Sequence, residues 1–489
     1  MKDFFLSTKS ITLIRILDHI VQANEAPMLR DIMYHFSLSK LTAIRYLKEL
    51  QLDLAELDAN IQLTTVNNRY ELDYPEGMSS NAILFELRFA YIIRTTSFQV
   101  MDALFKHHYN SVQALAEATN LSTSSVQNCI KQLRVYFNTF YVTISFRGKQ
   151  NIVGDPLNIR LLMIYTYTSI YRGSVTPDFV TTRSQYPIAL KPHLSFSQHH
   201  QIETLESVTY FDLIQKKHSI TLNPELHQLF GAINKTNTIA LELPGLPEQA
   251  LLDKSLLFSF LLRIAVANYD SDTEKIKIAE DILALNTDFT NDVNHLLLDF
   301  FETYQLNYTK TSFLISFYYL VITFIYLTYI TFDITDFVMF NDTASTFKQI
   351  DIDSYQEIDH LNQFLAEKKA HYTTLLANST GTLLSEMFFF LLDYNTQIKP
   401  LKINIQYTKN FYAATMITKN LQNVFGSSIV FTDQIEDADL IISDHYEHDE
   451  SLNGQFFLFR NNFEPDDWSL LLKNVLAYIY TNSFYKRLN

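Results

Sequence analysis

The stretch from Ser111 to Leu133 constrains the fold of this chain more than any other. Its apolar residues recur at helical spacing on both sides of Asn120, and the small Ala116 falls where two crossing helices must approach closely. Asn120 suits a left-handed turn because its short polar side chain tolerates that conformation, and Ser122 suits the N-cap of a second helix. The pattern therefore predicts a helix-turn-helix.

The second predicted helix, Thr123 to Tyr136, has one apolar face and one face of hydrogen-bonding side chains without a carboxylate. Such a face is typical of a helix that lies in the DNA major groove beside phosphates. A strand over 141–146, a basic turn and a return strand over 151–154 follow, which predicts a wing. A helical hairpin within a larger bundle is the alternative, since this apolar spacing is common. The residues expected to face DNA are Thr123, Ser124, Gln127, Asn128, Lys131, Arg147 and Lys149.

A second copy of this pattern lies about 83 residues upstream. The shift aligns Ser37 with Asn120 and Ser39 with Ser122, and a strand, polar tip and strand over 61–72 repeat the wing. Met33 stands where the downstream copy has a small residue, so the upstream copy is the weaker match. Two winged units at one period are harder to attribute to chance than one. The residues expected to face DNA in the upstream copy are Lys40, Thr42, Arg45, Lys48 and Arg69.

The composition indicates a folded, largely helical protein of several domains. Of its 489 residues 47% are hydrophobic, and it has only 9 Gly and 11 Pro. Its one cysteine, Cys129, excludes an internal disulfide and a cysteine-cluster metal site, and it favours a reducing cytoplasm. Arg15 and Asp18 interrupt the first apolar run, so no signal peptide is expected.

The net charge of −15 is unevenly distributed along the chain. Residues 1–150 hold 15 Lys and Arg against 14 Asp and Glu, which gives +1, and the remainder holds 23 against 39, which gives −16. The acidity therefore lies outside the two winged units, where it does not repel a bound duplex directly. A local charge of only +1 predicts modest affinity for DNA, assisted by dimerisation.

The middle of the chain predicts two helical bundles. Each contains a long helix almost without charge, Ser255 to Tyr269 in the first and Ser312 to Phe332 in the second. The second helix is long enough to cross a bilayer. Tyrosine, serine and threonine residues dilute its hydrophobicity, however, and no other candidate span accompanies it. We therefore expect the buried central helix of a bundle.

Residues 401–489 alternate strands with helices, which predicts a small parallel α/β sheet. The expected strands are 401–406, 428–431, 438–443 and 455–459, and the expected helices are 411–425 and 465–485. A ligand or phosphoryl site in such a sheet belongs at the carboxyl end of the first strand. The loop there, 407–411, has neither a cysteine nor phosphate-wrapping glycines, so we expect an assembly module instead of a reactive site.

In this order of domains the chain resembles the Mga/AtxA family of Gram-positive global and virulence transcription regulators. The resemblance rests on Leu38 to Leu50, on Leu121 to Leu133 and on Ile152 to Asp155, which closes the second wing. It implies a mainly α, multidomain fold. The domains would be winged helix-turn-helix units at 1–77 and 78–172, helical domains like PTS regulation domains (PRD-like) at 173–285 and 286–396, and an EIIB-like α/β domain at 397–489.

The resemblance also implies a function. The chain would be a cytoplasmic, homodimeric transcription regulator, and we expect it to activate transcription. Its expected partners are double-stranded DNA, RNA polymerase and PTS phosphocarrier proteins. No cofactor, metal or enzyme activity is expected. Histidines in the helical domains of such relatives can be phosphorylated, which changes dimerisation. On the two uncharged helices this chain has Phe-Ser-Phe at 258–260 and Phe-Tyr-Tyr at 317–319, where many such domains have the acceptor. The candidate histidines are His193, His218 and His295.

Two alternatives stay open at this point. A component of the phosphotransferase system would need a phosphorylatable Cys or His at the first loop of the tail, and labelling by a phosphocarrier would reveal it. A helical interaction protein that does not bind DNA would use the acidic body for protein partners. A gel shift at low salt with no retarded fragment would favour that second alternative.

Overall fold

The structure is a computed structural model that is mainly helical and has a small parallel sheet near the carboxyl end, which confirms this much of the expected fold class. The residues that it describes are 4–23, 25–171, 191, 194–215, 222–241, 248–266, 268–329, 353–377, 382–396, 400–408, 411–445, 455–460 and 464–484. They fall into two compact units. One lies within 1–290 and 324–329, and the other within 291–323 and 353–484.

The first unit opens with three helices and a hairpin: α1 (Thr8–Gln22), α2 (Leu29–His35), α3 (Lys40–Leu57), β1 (Gln62–Val66) and β2 (Arg69–Asp73). The two strands are antiparallel, with Leu63 opposite Leu72. Asn67 and Asn68 form the turn, both at positive φ (51° and 63°). Two-residue turns between twisted strands require that conformation, and asparagine tolerates it better than most residues do.

One core joins these elements to the next helix, α4 (Ser80–Ile93). Apolar residues at helical spacing on α1 and α3 pack with Ile61 and Leu63 of the hairpin region. Ile83 and Leu87 of α4 are 1% exposed and belong to the same core. The expected boundary at residue 77 therefore falls between two segments that share their apolar packing.

The second helix-turn-helix follows with α5 (Thr96–Lys106), α6 (Val112–Ala118), α7 (Thr123–Asn138), β3 (Thr143–Ile144), β4 (Ile152–Val153) and α8 (Pro156–Ile170). The strands of this wing are shorter than the expected 141–146 and 151–154. Tyr141 has a left-handed backbone (φ 54°), which breaks the extended run before it can pair. Helix α8 is buried on all sides from Asn158 to Tyr167, so this part of the helix belongs to the protein core.

Four more helices follow in the first unit: α9 (Phe196–Gln215), α10 (Pro224–Thr236), α11 (Glu248–Ala265) and α12 (Asp272–Leu283). Arg263, at the end of α11, donates from Nε to Asp270 over 2.7 Å, and both side chains are fully buried. Lys191 donates to Glu274 over 2.9 Å. The lysine and further hydrogen bonds outweigh the desolvation of this carboxyl and lower the pKa of Glu274 to about 2. Arg263 and Asp270 are thus buried as partners, which is the usual condition for burying a charge.

The next four helices are α13 (Asp288–Thr303), α14 (Lys310–Tyr329), α15 (Asp353–Lys368) and α16 (Thr382–Asn395). Phe300 packs against Phe364 and Phe388 with ring centroids 5.7 and 4.8 Å apart. Among the described helices α14 alone is long and apolar enough to span a bilayer, and 61% of its apolar window is buried within the protein. A helix that is apolar on all sides is typically surrounded by other elements of the protein. This agrees with the expectation that α14 is the buried central helix of a bundle.

The tail is a four-stranded parallel sheet with two helices: β5 (Leu401–Gln406), α17 (Ala413–Phe425), β6 (Ile429–Phe431), β7 (Leu440–Ser443), β8 (Gln455–Leu458) and α18 (Pro465–Phe484). The strand order is β6-β5-β7-β8, and every pairing is parallel. This confirms the parallel sheet that the alternation of strands and helices predicts. In this order the crevice at the carboxyl ends of β5 and β7 is the usual place for a ligand.

Candidate nucleic-acid interface

The two turns between paired helices have the same backbone geometry. Ser37 and Asn120, which the 83-residue shift aligns, both adopt positive φ, at 51° and 55°. The bonds that close the turns join equivalent positions: Leu38 N donates to Met33 O over 2.9 Å, and Leu121 N donates to Ala116 O over 3.0 Å. This agreement confirms the predicted left-handed turn at Asn120 and extends it to the upstream copy.

The helix that follows each turn begins with a serine cap. Ser39 Oγ accepts a hydrogen bond from Thr42 N over 3.3 Å, and Ser122 Oγ accepts one from Ser125 N over 3.2 Å. These caps satisfy amide groups that a helix start leaves unpaired. Both α3 and α7 thus start at the same point of the repeat.

The inward faces of α3 and α7 are buried at matching positions. Three residues of α3 and their counterparts 83 residues later on α7 are buried: Ala43 and Val126, Leu47 and Ile130, and Leu50 and Leu133. None of the six is more than 4% exposed. Because the inner faces match, the outer faces of the two helices also present equivalent positions to solvent.

Most of the residues predicted to face DNA are exposed on those outer faces or on the second wing. They are Lys40, Arg45, Lys48, Thr123, Ser124, Gln127, Asn128, Lys131, Arg147 and Lys149. Thr42 is half-buried, and its Oγ1 lies 2.9 Å from Ser39 Oγ in the cap. Ser124 is exposed although its Oγ lies 3.1 Å from Ser122 Oγ.

The carboxylates of α3 lie in its carboxyl-terminal half, and each one contacts a partner side chain. Lys9 pairs with Glu49 over 2.5 Å, and Arg94 of α4 pairs with Glu56 over 3.1 Å. Tyr91, also of α4, donates to Asp53, and burial with this bond raises the pKa of the phenol, which keeps it a donor. Helix α7 has no carboxylate. Within the described residues, no carboxylate pairs with a basic side chain on either outer face.

Arg69 is placed differently from the wing contact that the sequence predicts. It is the first residue of β2 and lies beyond the Asn67-Asn68 tip. Its guanidinium donates to Ala26 O over 2.8 Å and to Glu25 Oε2 over 2.9 Å, and its side chain is 34% exposed. The arginine thus joins the hairpin to the segment between α1 and α2.

The second wing is anchored by two residues that the sequence analysis did not select. Asn151, 3% exposed, accepts from Tyr109 N over 2.6 Å and donates to Tyr109 O and Ser145 O over 2.8 and 3.2 Å. Arg134 of α7 donates to Ile144 O over 3.0 Å. An asparagine at the start of the return strand is the only sequence signal for this anchor. The anchored loop presents Arg147 and Lys149.

Two histidines, His19 of α1 and His35 at the end of α2, stack on each other. The rings of His19 and His35 lie 4.3 Å apart at 13°. Burial lowers the pKa of His19, and His35 lowers it further, against smaller opposing effects of Asp31 and Asp18. The neutral form of His19 is therefore favoured near neutral pH, where this side chain adds no positive charge.

The candidate phosphorylation sites are only partly within the described chain. His193 and His218 lie outside the described residues. His295 lies on α13 with an exposed side chain. Its phosphorylation stays a prediction.

The carboxyl edge of the tail sheet brings together three residues from two loops. Asp444, whose side chain is fully buried, accepts from Thr408 N over 3.0 Å and lies 2.8 Å from His445 Nδ1. Thr408 Oγ1 lies 3.2 Å from the same ring nitrogen. The His445 side chain is 61% exposed. Loop 407–411 alone does not indicate this histidine, which follows β7 in the chain.

Comparison with protein families assigns the helix-turn-helix region. Residues 80–167 match the family model described as the Mga helix-turn-helix domain. This match supports the resemblance of the chain to the Mga/AtxA regulator family. The matched Mga domain runs from α4 almost to the end of α8 and contains the second helix-turn-helix with its wing. The matched domain supports DNA binding and a role in transcription regulation. No curated protein matches the chain.

Proposed function

We propose that this protein is a transcription regulator of the Mga type that binds one DNA duplex through both helix-turn-helix units. The observation that carries the proposal is the repeated turn and cap, which present α3 and α7 outward in the same way. Helices exposed in this manner, with basic and amide side chains, are typical of insertion into the major groove.

The proposed contacts divide into two classes. Basic side chains bind phosphates and set affinity, whereas hydroxyl and amide side chains bind base edges and set specificity. The phosphate contacts are Lys40, Arg45, Lys48, Lys131, Arg147 and Lys149. The base contacts are Thr42, Thr123, Ser124, Gln127 and Asn128. Thr42 reaches a base only by giving up its contact with the Ser39 cap.

The remaining proposals concern the body of the molecule. The two helical bundles would be PRD-like domains, and the tail would be EIIB-like and hold two chains together in a homodimer. The dimer would act in the cytoplasm as an activator, with RNA polymerase and PTS phosphocarriers as partners. Support for these proposals comes from the order of the elements and from the parallel sheet of the tail.

Removing Lys131 tests the proposed interface. The change Lys131→Ala should weaken binding to all duplexes alike and lower the slope of log K against log salt by about one unit, because one phosphate no longer has a basic partner. Titration of full-length protein into a labelled duplex at several salt concentrations measures the slope. The mass of the complex shows whether one or two chains bind.

The control for this test is Lys277→Ala, which removes an exposed lysine from α12. Its slope should equal that of the unchanged protein. A slope that Lys131→Ala leaves unaltered would remove Lys131 from the phosphate contacts. Absence of binding to any duplex at low salt would contradict the proposed function itself.

A second candidate function arises from the tail. The buried Asp444 accepts a hydrogen bond from Nδ1 of His445, which leaves Nε2 as the nucleophilic nitrogen of an exposed ring. Nε2 could attack the phosphorus of a phosphohistidine on a phosphocarrier. A new N–P bond then forms, the N–P bond of the donor breaks, and the donor imidazole leaves, while the Nδ1 proton stays with the bond to Asp444. The tail would then receive a phosphoryl group.

Labelling with a radioactive phosphocarrier tests this candidate. Acid-labile label should enter the full-length chain and be lost in His445→Gln, because the amide cannot accept a phosphoryl group. The control His295→Gln alters another exposed histidine and should retain the label. Label that persists in His445→Gln, or no label in either protein, contradicts the candidate.

A further inference from the structure

The outer face of α3 contains two exposed apolar side chains that the polar contacts above do not explain. Leu41 is 84% exposed and Ile44 is 45% exposed. They stand three positions apart on one helix, so their side chains are neighbours on its surface. Single exposed apolar residues are common on protein surfaces.

The pair lies within the stripe of proposed phosphate contacts. Lys40, Arg45 and Lys48 flank it at helical spacing, and all three are exposed. Shifting by 83 residues places Leu41 and Ile44 on Ser124 and Gln127, two of the proposed base contacts on α7. The apolar pair therefore occupies base-contacting positions of the repeat.

The chemistry of the major groove identifies what such a pair could contact. Base edges there offer hydrogen-bond donors and acceptors and one apolar group, the C5 methyl of thymine. A leucine or isoleucine buries no polar atom against that methyl, whereas against a cytosine or guanine edge it leaves polar atoms without partners. We propose that Leu41 and Ile44 bind thymine methyl groups, so that α3 selects thymine while α7 selects base edges by hydrogen bonding.

The surrounding charge disfavours a protein occupant of the same face. A second copy of the chain placed on it by two-fold symmetry would bring Lys40, Arg45 and Lys48 against their own counterparts. The carboxylates of α3 are engaged elsewhere by Lys9, Tyr91 and Arg94. Positive charge around an apolar pair instead complements a groove lined by phosphates.

This inference rests on the proposed DNA binding, and its test separates the two. A tightly bound duplex is first selected from random sequences with the full-length protein. A second version replaces thymine by deoxyuridine throughout, which removes only the C5 methyl groups. The unchanged protein should bind the deoxyuridine duplex more weakly, by about fourfold for each methyl group that Leu41 or Ile44 would otherwise cover.

The double variant Leu41→Ala with Ile44→Ala removes the matching groups on the protein side. It should bind the thymine duplex more weakly than the unchanged protein and bind both duplexes with equal affinity. Because both side chains are exposed and alanine favours helix, the variant should fold normally, and circular dichroism checks this. Leu52→Ala removes another leucine of α3, 60% exposed and about 16 Å further along the helix, and should preserve the thymine preference.

Each other result has a defined meaning. If the unchanged protein binds both duplexes equally, the thymine contact is wrong, although DNA binding stands. If the double variant keeps the thymine preference, other residues provide it and the assignment fails. A change in the oligomeric mass of the double variant without DNA would show that the pair contacts protein instead. Failure to select any duplex would contradict the proposed function first.

Discussion

At the scale of single residues, the two left-handed turns differ in how well their residues fit them. Asparagine tolerates positive φ better than serine does, and glycine tolerates it without steric cost. Ser37 has the same conformation as Asn120 and a poorer side chain for it. The turn at Ser37 therefore holds strain that the turn at Asn120 largely avoids.

The change Ser37→Gly should stabilise the first helix-turn-helix, by up to about 1 kcal/mol, because relief of the left-handed strain exceeds the added flexibility of the unfolded chain. Hydrogen exchange of the amides in α2 and α3, followed by mass spectrometry, measures the local stability. Ser39→Gly is the control, since Ser39 has φ −68° and caps α3. It should not stabilise, and equal gains in both variants would contradict the explanation.

The residues that could be predicted from the sequence are those whose roles depend on near neighbours. Asn120 and Ser122 act on the chain within three residues of themselves, and both have the predicted conformations. Arg69 binds Glu25, which is distant in the chain, and no local pattern encodes that pair. Leu41 has no polar side-chain atom, so a pattern of hydrogen-bonding residues does not indicate it as a base contact.

At the scale of elements, the second wing is unusually dependent on side chains. Its two strands contribute only two opposed residue pairs, Thr143 with Val153 and Ile144 with Ile152. So short a hairpin has little stability of its own. The three hydrogen bonds of Asn151 and the one from Arg134 supply what the strands lack.

The change Asn151→Ala should loosen this wing, at a local cost of about 1 to 3 kcal/mol, because partly buried backbone groups of Tyr109 and Ser145 lose their partner. Amide exchange over 143–153 should accelerate, and DNA affinity should fall because Arg147 and Lys149 are no longer held in place. Thr143→Ala, at an exposed strand position, should alter neither property. Unchanged exchange in Asn151→Ala would show that the wing is held by other contacts.

The kinds of element were easier to predict than their extents. Alternation of strand and helix predicts the parallel sheet of the tail, and the structure has it. The wing strands are shorter than predicted because the backbone of Tyr141 turns left-handed, which its residue type does not indicate. Nor does alternation place His445 beside Thr408, since strands far apart in the chain make that contact.

At the scale of the whole molecule, charge and motif are divided along the chain. Residues 1–150 sum to +1 from 15 basic and 14 acidic residues, and the remainder sums to −16. The structure adds where these charges lie, because Glu49 and Glu56 on α3 pair with Lys9 and Arg94 while Asp53 accepts a hydrogen bond from Tyr91. The potential at the proposed interface thus depends on which carboxylates remain free, and composition alone could not reveal that.

The contacts of α4 have a consequence for how the protein would scan a genome. This helix lies in the Mga domain, yet Ile83 and Leu87 pack in the core of the preceding unit, and Tyr91 and Arg94 bind side chains of α3. The two helix-turn-helix units are therefore joined through packed side chains of α4 and not only through the backbone. If both units bind one duplex as proposed, their two binding sites must lie at a fixed rotation about the DNA axis. Inserting half a helical turn of duplex between the sites should then release one unit while the other stays bound.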